Sequence, residues 1–443
     1  MKSWWAMRQD RAHVPTSDST QSLSIQSLSS SARPPRSAVL RIGAAAMAAT
    51  MAAGAVLAGL AVAQTPAPAP AKPVAAPPVL DIPDAPKPRS AEAWLVMDHA
   101  TGRVLAGENI DQRMEPASIT KVMTSYVIAS ELAAGRIKGT DMVTMTEDAW
   151  RRGGAATDGS YSGFPVNQAA PLEQMEKGMV VQSGNDAAIA LAEHIAGSED
   201  AFAQLMNEYA KRIGLKDSHF LNATGLPAEG HHASAHDLAL LGSAMIRDFP
   251  EQYAYNKIRE FTVGPITQPN RNRLLWRDDS VDGIKTGHTS GAGWCLLSSA
   301  QRGDQRLVAV VLKAASDDER MNDSMALLNW GFRFFETHRL YEPGASIAEH
   351  RVWKGETDSV RLGVGAPLLV STARGRYDDL KPMMDVPKTL VGPIAKGDEI
   401  GTIKVMLDGK PLVEAPLVAL DAVPEAGFFK RLWHEFLMWW ESV

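Results

Sequence analysis

The chain has 443 residues, of which 45% are apolar and 22% charged, the balance of an ordinary globular protein with room for roughly two or three domains. Its net charge is −6 and it holds no basic block, which argues against a nucleic-acid partner. One cysteine, Cys295, excludes an internal disulfide without deciding the compartment.

Arg33, Arg36 and Arg41 precede an uncharged, Ala/Gly-rich stretch that ends in Ala61-Val62-Ala63. This reads as a secretory signal with a long leader, residues 1–63, cut before Gln64. An uncleaved anchor is the alternative, because the apolar stretch is long enough to span a bilayer. Either way the remainder lies outside the cytoplasm. Residues 64–89 are rich in proline and alanine and predict an extended, unpacked linker.

Folded sequence begins near Ser90. "EAWLVMD" and "RVLAGEN" predict two strands around His99-Ala100-Thr101-Gly102. A helical region follows over 117–134. "SEDAFAQLMNEYAKRIGL" and "SAHDLALLGSAMIRDF" predict amphipathic helices. "GWCLLSSAQRGDQRLVAVVLKA" predicts two strands around Gly303-Asp304, and "DSMALLNWGFRFFETH" a helix packed on them. Strands, a helical block, then strands and a helix predict an α+β domain over 90–345, its antiparallel sheet drawn from both ends of the segment. Residues 346–423 break into short strand-like runs with a hairpin signal at Asp408-Gly409, and predict a small all-β domain.

Residues 424–443 predict a terminal helix. Phe428, Phe429, Leu432, Trp433, Phe436, Leu437 and Trp440 share one face, with Lys430, Arg431, His434, Glu435 and Glu441 mostly opposite. Such a helix suits a membrane interface, where tryptophan favours the headgroup region. The alternative is a helix docked on its own domain.

"EPASITKVMTSY" places Ser118 and Lys121 three positions apart at a helix start marked by Pro116. Positions i and i+3 share a helix face, so the hydroxyl and the amine can meet. Alone, Ser-x-x-Lys is weak. Two further motifs follow in order: Ser183-Gly184-Asn185 between an apolar run and a helix, and Lys285-Thr286-Gly287 on a predicted strand. The ordered set is the signature of penicillin-binding proteins and class A β-lactamases.

With these motifs, and with "VQSGNDA", "VDGIKTGHT" and "NWGFRFFET", the chain over 90–443 resembles the low-molecular-mass penicillin-binding proteins. These are serine-type D-alanyl-D-alanine carboxypeptidases. The resemblance implies a penicillin-binding/β-lactamase-like catalytic fold, a β-rich second domain and a C-terminal amphipathic anchor. It further implies peptidoglycan stem peptides as substrate, β-lactams as covalent inhibitors, no cofactor, and a place on the periplasmic side of the bacterial inner membrane.

Ser118 is the expected nucleophile, forming an acyl-enzyme. Its base, Lys121, must lose a proton, and moving an amine from ~10.4 to ~7.5 takes about 4 kcal/mol. Burial and a second cation both act in that direction, and Lys285 is the expected cation. By resemblance, Ser183 passes a proton to the leaving amine and Asn185 holds Lys121 or the substrate. The backbone N–H groups of Ser118 and His288 form the oxyanion hole. The substrate lies along residues 283–288 as an added strand, with Gly287 permitting close approach. Thr286 and Arg320 recognise the free carboxylate. For Arg320 the competing reading is a surface ion pair with Asp317 or Asp318.

Other features carry plainer readings. His231, His232, His236 and Asp237 match no metal-ligand spacing, and Ser234 with Asp237 predicts a capping box. Cys295 is expected in the core. The Gly-rich loop 151–170 either flanks the site or is plain surface. Two rivals remain. A class A β-lactamase would need an E-x-x-L-N segment, and none lies between Asn185 and Lys285. A non-catalytic cell-wall or membrane-binding scaffold would not need three intact motifs.

Overall fold

The computed structural model describes residues 82–154 and 159–442; the leader and residues 64–81 lie outside the described residues. Period-2 alternation sets the central sheet. In the strand Ala93–Asp98, Ala93, Leu95 and Met97 enter one core while Trp94 and Val96 enter another. Gln305–Ala314 divides likewise, with Val308, Val310 and Leu312 on one side and Leu307, Ala309 and Val311 on the other. Successive side chains point to opposite faces, so a strand apolar at every position must be covered twice. The sheet runs Val104–Glu108, Ala93–Asp98, Gln305–Ala314, Gly293–Arg302, Val281–Thr289, each pair antiparallel. Val281–Thr289 forms one edge.

One face carries the helical subdomain, including Thr120–Ala133, Leu172–Gln182, Asn185–Ala196, Glu199–Ile213 and Ala235–Asp248. The other face carries Asp317–Phe334. Serine starts three of these helices: Ser198, Ser234 and Ser316 each accept a hydrogen bond from the backbone N–H three residues on. The box expected at Ser234 is only half formed. Asp237 does not reach back; its carboxylate accepts from Lys216 N, Asp217 N and Ser218 Oγ instead.

The helix predicted over 323–338 is placed differently. It begins six residues earlier, at Asp317, and ends at Phe334, and Phe335–Tyr341 is a strand paired with Leu368–Ala373. Arg374 closes the helix end by donating to the carbonyls of Phe332 and Phe335. Residues 82–89 are extended but not unpacked. Trp330 Nε1 donates to Pro83 O at 3.0 Å, and Ala85 packs on the second core.

Six strands after residue 347 build a second sheet, with Glu399–Leu407 and Lys410–Ala419 joined at Asp408-Gly409. Both turn residues have positive φ, 52° and 76°, as a two-residue hairpin requires. The terminal helix Phe428–Ser442 then lies on this domain by its polar side. Lys354 N donates to His434 Nδ1 at 2.8 Å, Lys430 pairs with Asp358 at 2.7 Å, Lys354 with Glu435 at 2.7 Å and Arg351 with Glu441 at 3.1 Å. Phe428, Phe429, Leu432, Trp433, Phe436, Trp439 and Trp440 face outward. Among the described residues no helix is long and apolar enough to cross a membrane.

Candidate active site

Ser118 sits in a single turn of 3-10 helix, Ala117–Ile119, that leads into Thr120–Ala133. Ala117 has φ 47°, the left-handed region a residue with a Cβ normally avoids. Two glycines hold it there. A Cβ on Gly225, itself at φ +81°, would fall 1.8 Å from Ala117 O. A Cβ on Gly287 would fall 2.9 Å from Pro116 O and 3.1 Å from Ser118 N. What approaches closely at Gly287 is thus the protein's own turn at Pro116, Ala117 and Ser118. The same approach brings Ser118 N beside the strand that continues into His288.

Lys121, the second residue of that helix, is 1% exposed. Its Nζ lies 2.9 Å from Ser118 Oγ, 2.6 Å from Asn185 Oδ1 and 2.8 Å from Thr224 O. Burial pushes this amine down to about 7, Arg271 adds to the fall, and Asp186 and Glu199 oppose it. Lys285 is also buried, bonded through Nζ to Thr286 O at 3.1 Å. Burial, then Lys121, Arg271 and Arg320, hold it well below the ordinary lysine value. Both buried amines are held below the ordinary lysine value, while the guanidinium of Arg271 stays charged beside them.

Ser183 ends the helix Leu172–Gln182 at φ 64°, and Asn185 opens the next. The turn is fixed from three sides. Arg271 Nε donates to Gln182 O at 3.0 Å, Asn185 N donates to Ser160 O at 2.8 Å, and Asp186 accepts from Ser162 N and Oγ at 2.8 Å each. Loop 151–170 thus borders the site through Gly159 and Ser160; residues 155–158 lie outside the described residues.

A cleft of about 970 Å³ opens over these groups, bordered by Ser118, Ser183, Asn185, Arg271, Thr286 and His288 among others. Lys121 and Lys285 lie beneath its floor. Arg320 also reaches it, but is neither on the surface nor free. It is 4% exposed, donates through Nη1 to Gly287 O at 2.7 Å and Cys295 O at 2.9 Å, and pairs with Asp317. Its guanidinium covers the ring of Trp294, on which His288 also stacks with centroids 4.0 Å apart.

The remaining candidates scatter. His231 Nε2 meets Thr120 Oγ1 at 2.9 Å while its Nδ1 accepts from Leu221 N, and burial pushes it down to about 4. His232 turns to Gly230 O and His236 to Asp111. Cys295 is fully buried, its thiol pushed up to about 11 by burial. Sequence reasoning missed three parts of the site: the Thr224 carbonyl, Gly225 and Arg271. A carbonyl has no sequence signature. For Arg271 the only signal is an arginine near the third motif, too common to single out.

The profile of the family described as D-alanyl-D-alanine carboxypeptidase matches residues 82–316. The one described as penicillin-binding protein 5, C-terminal domain, matches 335–425. D-alanyl-D-alanine carboxypeptidase DacC of Escherichia coli K12 is 48% identical over 352 residues, 79% of this chain and 88% of the relative. DacF of Bacillus subtilis is 36% identical, over 77% and 88%. The crystal structure of penicillin-binding protein 5 from Haemophilus influenzae superposes with a TM-score of 0.74 at 40% identity, covering 77% of this chain and 99% of that one. Penicillin-binding protein D2 from Listeria monocytogenes, in its cefotaxime-bound form, gives a TM-score of 0.50 at 27% identity, over 55% and 97%. A serine with its amine, a strand-edged cleft and a β-rich second domain define a low-molecular-mass penicillin-binding protein. The chain belongs to the D-alanyl-D-alanine carboxypeptidase family and is a serine-type peptidase.

Proposed function

We propose that this D-alanyl-D-alanine carboxypeptidase removes the terminal D-alanine from peptidoglycan pentapeptide side chains through an acyl-enzyme on Ser118, and that β-lactams acylate the same oxygen. The observation that carries the reading is an amine brought to about 7 and set 2.9 Å from a hydroxyl. An ammonium at Lys121 would spend its three protons on Ser118, Asn185 and Thr224. A neutral amine spends two on Asn185 and Thr224 and turns its lone pair to the Ser118 proton. An amine near 7 is half in that form at neutral pH, where a general base works best.

Ser118 Oγ then attacks the carbonyl carbon as its proton passes to Lys121. The N–H groups of Ser118 and His288 receive the oxyanion. When the C–N bond breaks, the leaving amine takes a proton through Ser183, supplied by Lys121 or Lys285. Water, deprotonated in the same way, hydrolyses the ester. Residues 283–288 belong to the edge strand of the sheet, the place for the substrate backbone to pair as an added strand. Thr286 offers a hydroxyl to the leaving group, and Arg320 holds the Gly287 carbonyl and turns one remaining N–H to the cleft. This machinery occupies the unit read as 90–345.

The terminal helix, in the unit read as 424–443, meets the periplasmic face of the inner membrane. A free-standing protein has no reason to dock a helix by its charged side and leave seven large apolar side chains in water. A bilayer interface takes such a face, with its three tryptophans at headgroup level.

The test is mass spectrometry of the protein after incubation with penicillin, with the modified peptide mapped, beside an assay of D-alanine release from a pentapeptide. The expected adduct lies on the peptide that carries Ser118, and Ser118→Ala abolishes both adduct and release. Fast antibiotic turnover without release of D-alanine would point to a β-lactamase. An adduct that survives Ser118→Ala would overturn the reading.

A further inference from the structure

The carbonyl of Thr224 is one of three partners of the buried amine at Lys121, and it stands on a loop rather than on a helix or strand. A loop carbonyl keeps its direction only where its neighbours are fixed. Within the loop, Asn222 Oδ1 accepts from Thr224 N at 3.2 Å and from Gly225 N at 2.7 Å. Two hydroxyls of the helix Thr120–Ala133, one turn apart, fix it from outside. Thr124 Oγ1 donates to Ala223 O at 2.7 Å, and Thr120 Oγ1 meets His231 Nε2 at 2.9 Å.

His231 closes the loop, and both nitrogens of its ring are engaged. Leu221 N donates to Nδ1 at 3.1 Å, so the ring proton lies on Nε2 and is donated to Thr120. One side chain thus joins the two ends of the loop and ties them to the first residue of the helix. The ring is 5% exposed and packs edge-on against Phe220, with centroids 5.9 Å apart. Burial, helped by His219 and His232, keeps it uncharged at neutral pH, where Nδ1 can accept. The same loop carries Gly225, whose backbone lies against Ala117 O and Thr120 Oγ1. Whatever holds the loop therefore holds two things at once: the acceptor of the base, and the left-handed turn in front of Ser118.

We propose that His231 is a positioning residue for acylation: by bridging Leu221 N and Thr120 Oγ1 it keeps the Thr224 carbonyl on Lys121 and water away from the amine. The inference rests on Lys121 acting as the base of the Ser118 acyl-enzyme. Burial is the largest cause of the low value of that amine. A loosened loop admits water to Nζ and returns Lys121 toward its ordinary value of 10.5. The charges that act on the two lysines, Asp186, Glu199, Arg271 and Arg320, are not among the hydrogen-bond partners of His231. They remain when the ring is replaced, so a shift in the base reports the loop.

The test is the pH profile of acylation by a fluorescent penicillin, from about pH 5 to 9. It is measured on the full chain and on His231→Phe, His231→Gln, Thr120→Val and the double variant His231→Phe/Thr120→Val. Rates are taken per molecule that labels at saturation, so a misfolded fraction drops out. His231→Phe fills the space and breaks both bonds. Its acid limb should move up by about one unit, slowing acylation about tenfold at pH 6 and far less at pH 9. Thr120→Val removes the same bond from the helix side and should move the limb likewise; it decides the matter alone if His231→Phe does not fold. The double variant should shift no further than either single one, because groups acting through one bond are not additive. His231→Gln keeps an acceptor and a donor and should restore most of the native profile. If the limbs stay in place while rates fall evenly at every pH, the ring only packs and the proposal fails. It also fails if the shifts add in the double variant, or if His231→Gln is displaced as far as His231→Phe. A native chain whose acylation ignores pH, or whose Ser118 peptide takes no label, would sink the base first, and this inference with it.

Discussion

The cleft and the terminal helix violate the ordinary partition of residues in opposite directions. In the cleft, Lys121 is 1% and Lys285 4% exposed, among the rarest residues to bury. On the helix, Trp440 is 68% and Phe429 84% exposed, while His434 is 8%. Each violation costs stability, and each is intelligible through a partner, one inside the chain and one outside it. The buried amine needs a hydroxyl to deprotonate, and the exposed aromatics need an apolar phase. Departures from the solvent rule are where function shows. They also differ in kind: the cleft's is chemical, resting on one proton, while the helix's is mechanical, resting on area.

The cleft half of that comparison breaks most readily at Lys121. Lys121→Arg keeps a cation in reach of Ser118 but cannot lose its proton, so acylation by a fluorescent penicillin should fall by roughly 10³-fold or more. Retained activity would mean that charge, not basicity, is what the site uses. A third buried ionisable group sharpens the point. Glu176 is 1% exposed, its Oε1 has no partner among the described residues, and burial, then Glu173, push it up to about 8. A folded carboxyl raised above its ordinary value of 4.5 withdraws stability as pH climbs through that window. Glu176→Gln should thus stabilise the protein by about 4 kcal/mol at pH 8 and hardly at all near pH 4.5, as thermal melts at the two pH values would reveal.

The pH dependence of acylation comes next in size. The active form of Lys121 is the deprotonated one, so the rate should drop roughly tenfold per unit below about 7 and level off above it. A rate indifferent to pH from 5 to 9 would remove Lys121 as the base. On the helix half, Trp433→Glu with Trp440→Glu should weaken binding to phosphatidylglycerol/phosphatidylethanolamine vesicles by about 10- to 100-fold in co-sedimentation. Undiminished binding would leave the outward face without a role. The smallest effect belongs to Lys354→Ala. It removes an exposed ion pair to Glu435, and such pairs are worth about 0–1 kcal/mol.

The sheet, the helical block and the β-rich second domain were legible because alternation and 3.6-residue periodicity are written in side chains. The three motifs were legible because their chemistry is. What escaped was relational. "FFETH" continues an apolar pattern, and only the pairing of Phe335–Tyr341 with Leu368–Ala373 makes it a strand. The terminal helix was correctly amphipathic on paper, but periodicity does not say which side a protein will hold, and here it holds the polar one. Lys285 was expected to be the permanent cation. Burial lowers both lysines, and the acceptors around each, such as Thr224 O beside Lys121, cannot be counted from residue names. Arg320 was expected by resemblance to be free for substrate, yet most of its donors are spent on Asp317 and the carbonyls of Gly287 and Cys295.

The passage from Phe334 to Phe335 without an intervening loop has a mechanical corollary. The helix Asp317–Phe334 is a strut about 27 Å long. Near one end it carries the arginine fastened to the Gly287 carbonyl, and its other end is the first strand of the small domain. With no loop between them, helix and strand are one continuous run of backbone from the cleft-side arginine to the β-rich part of the chain.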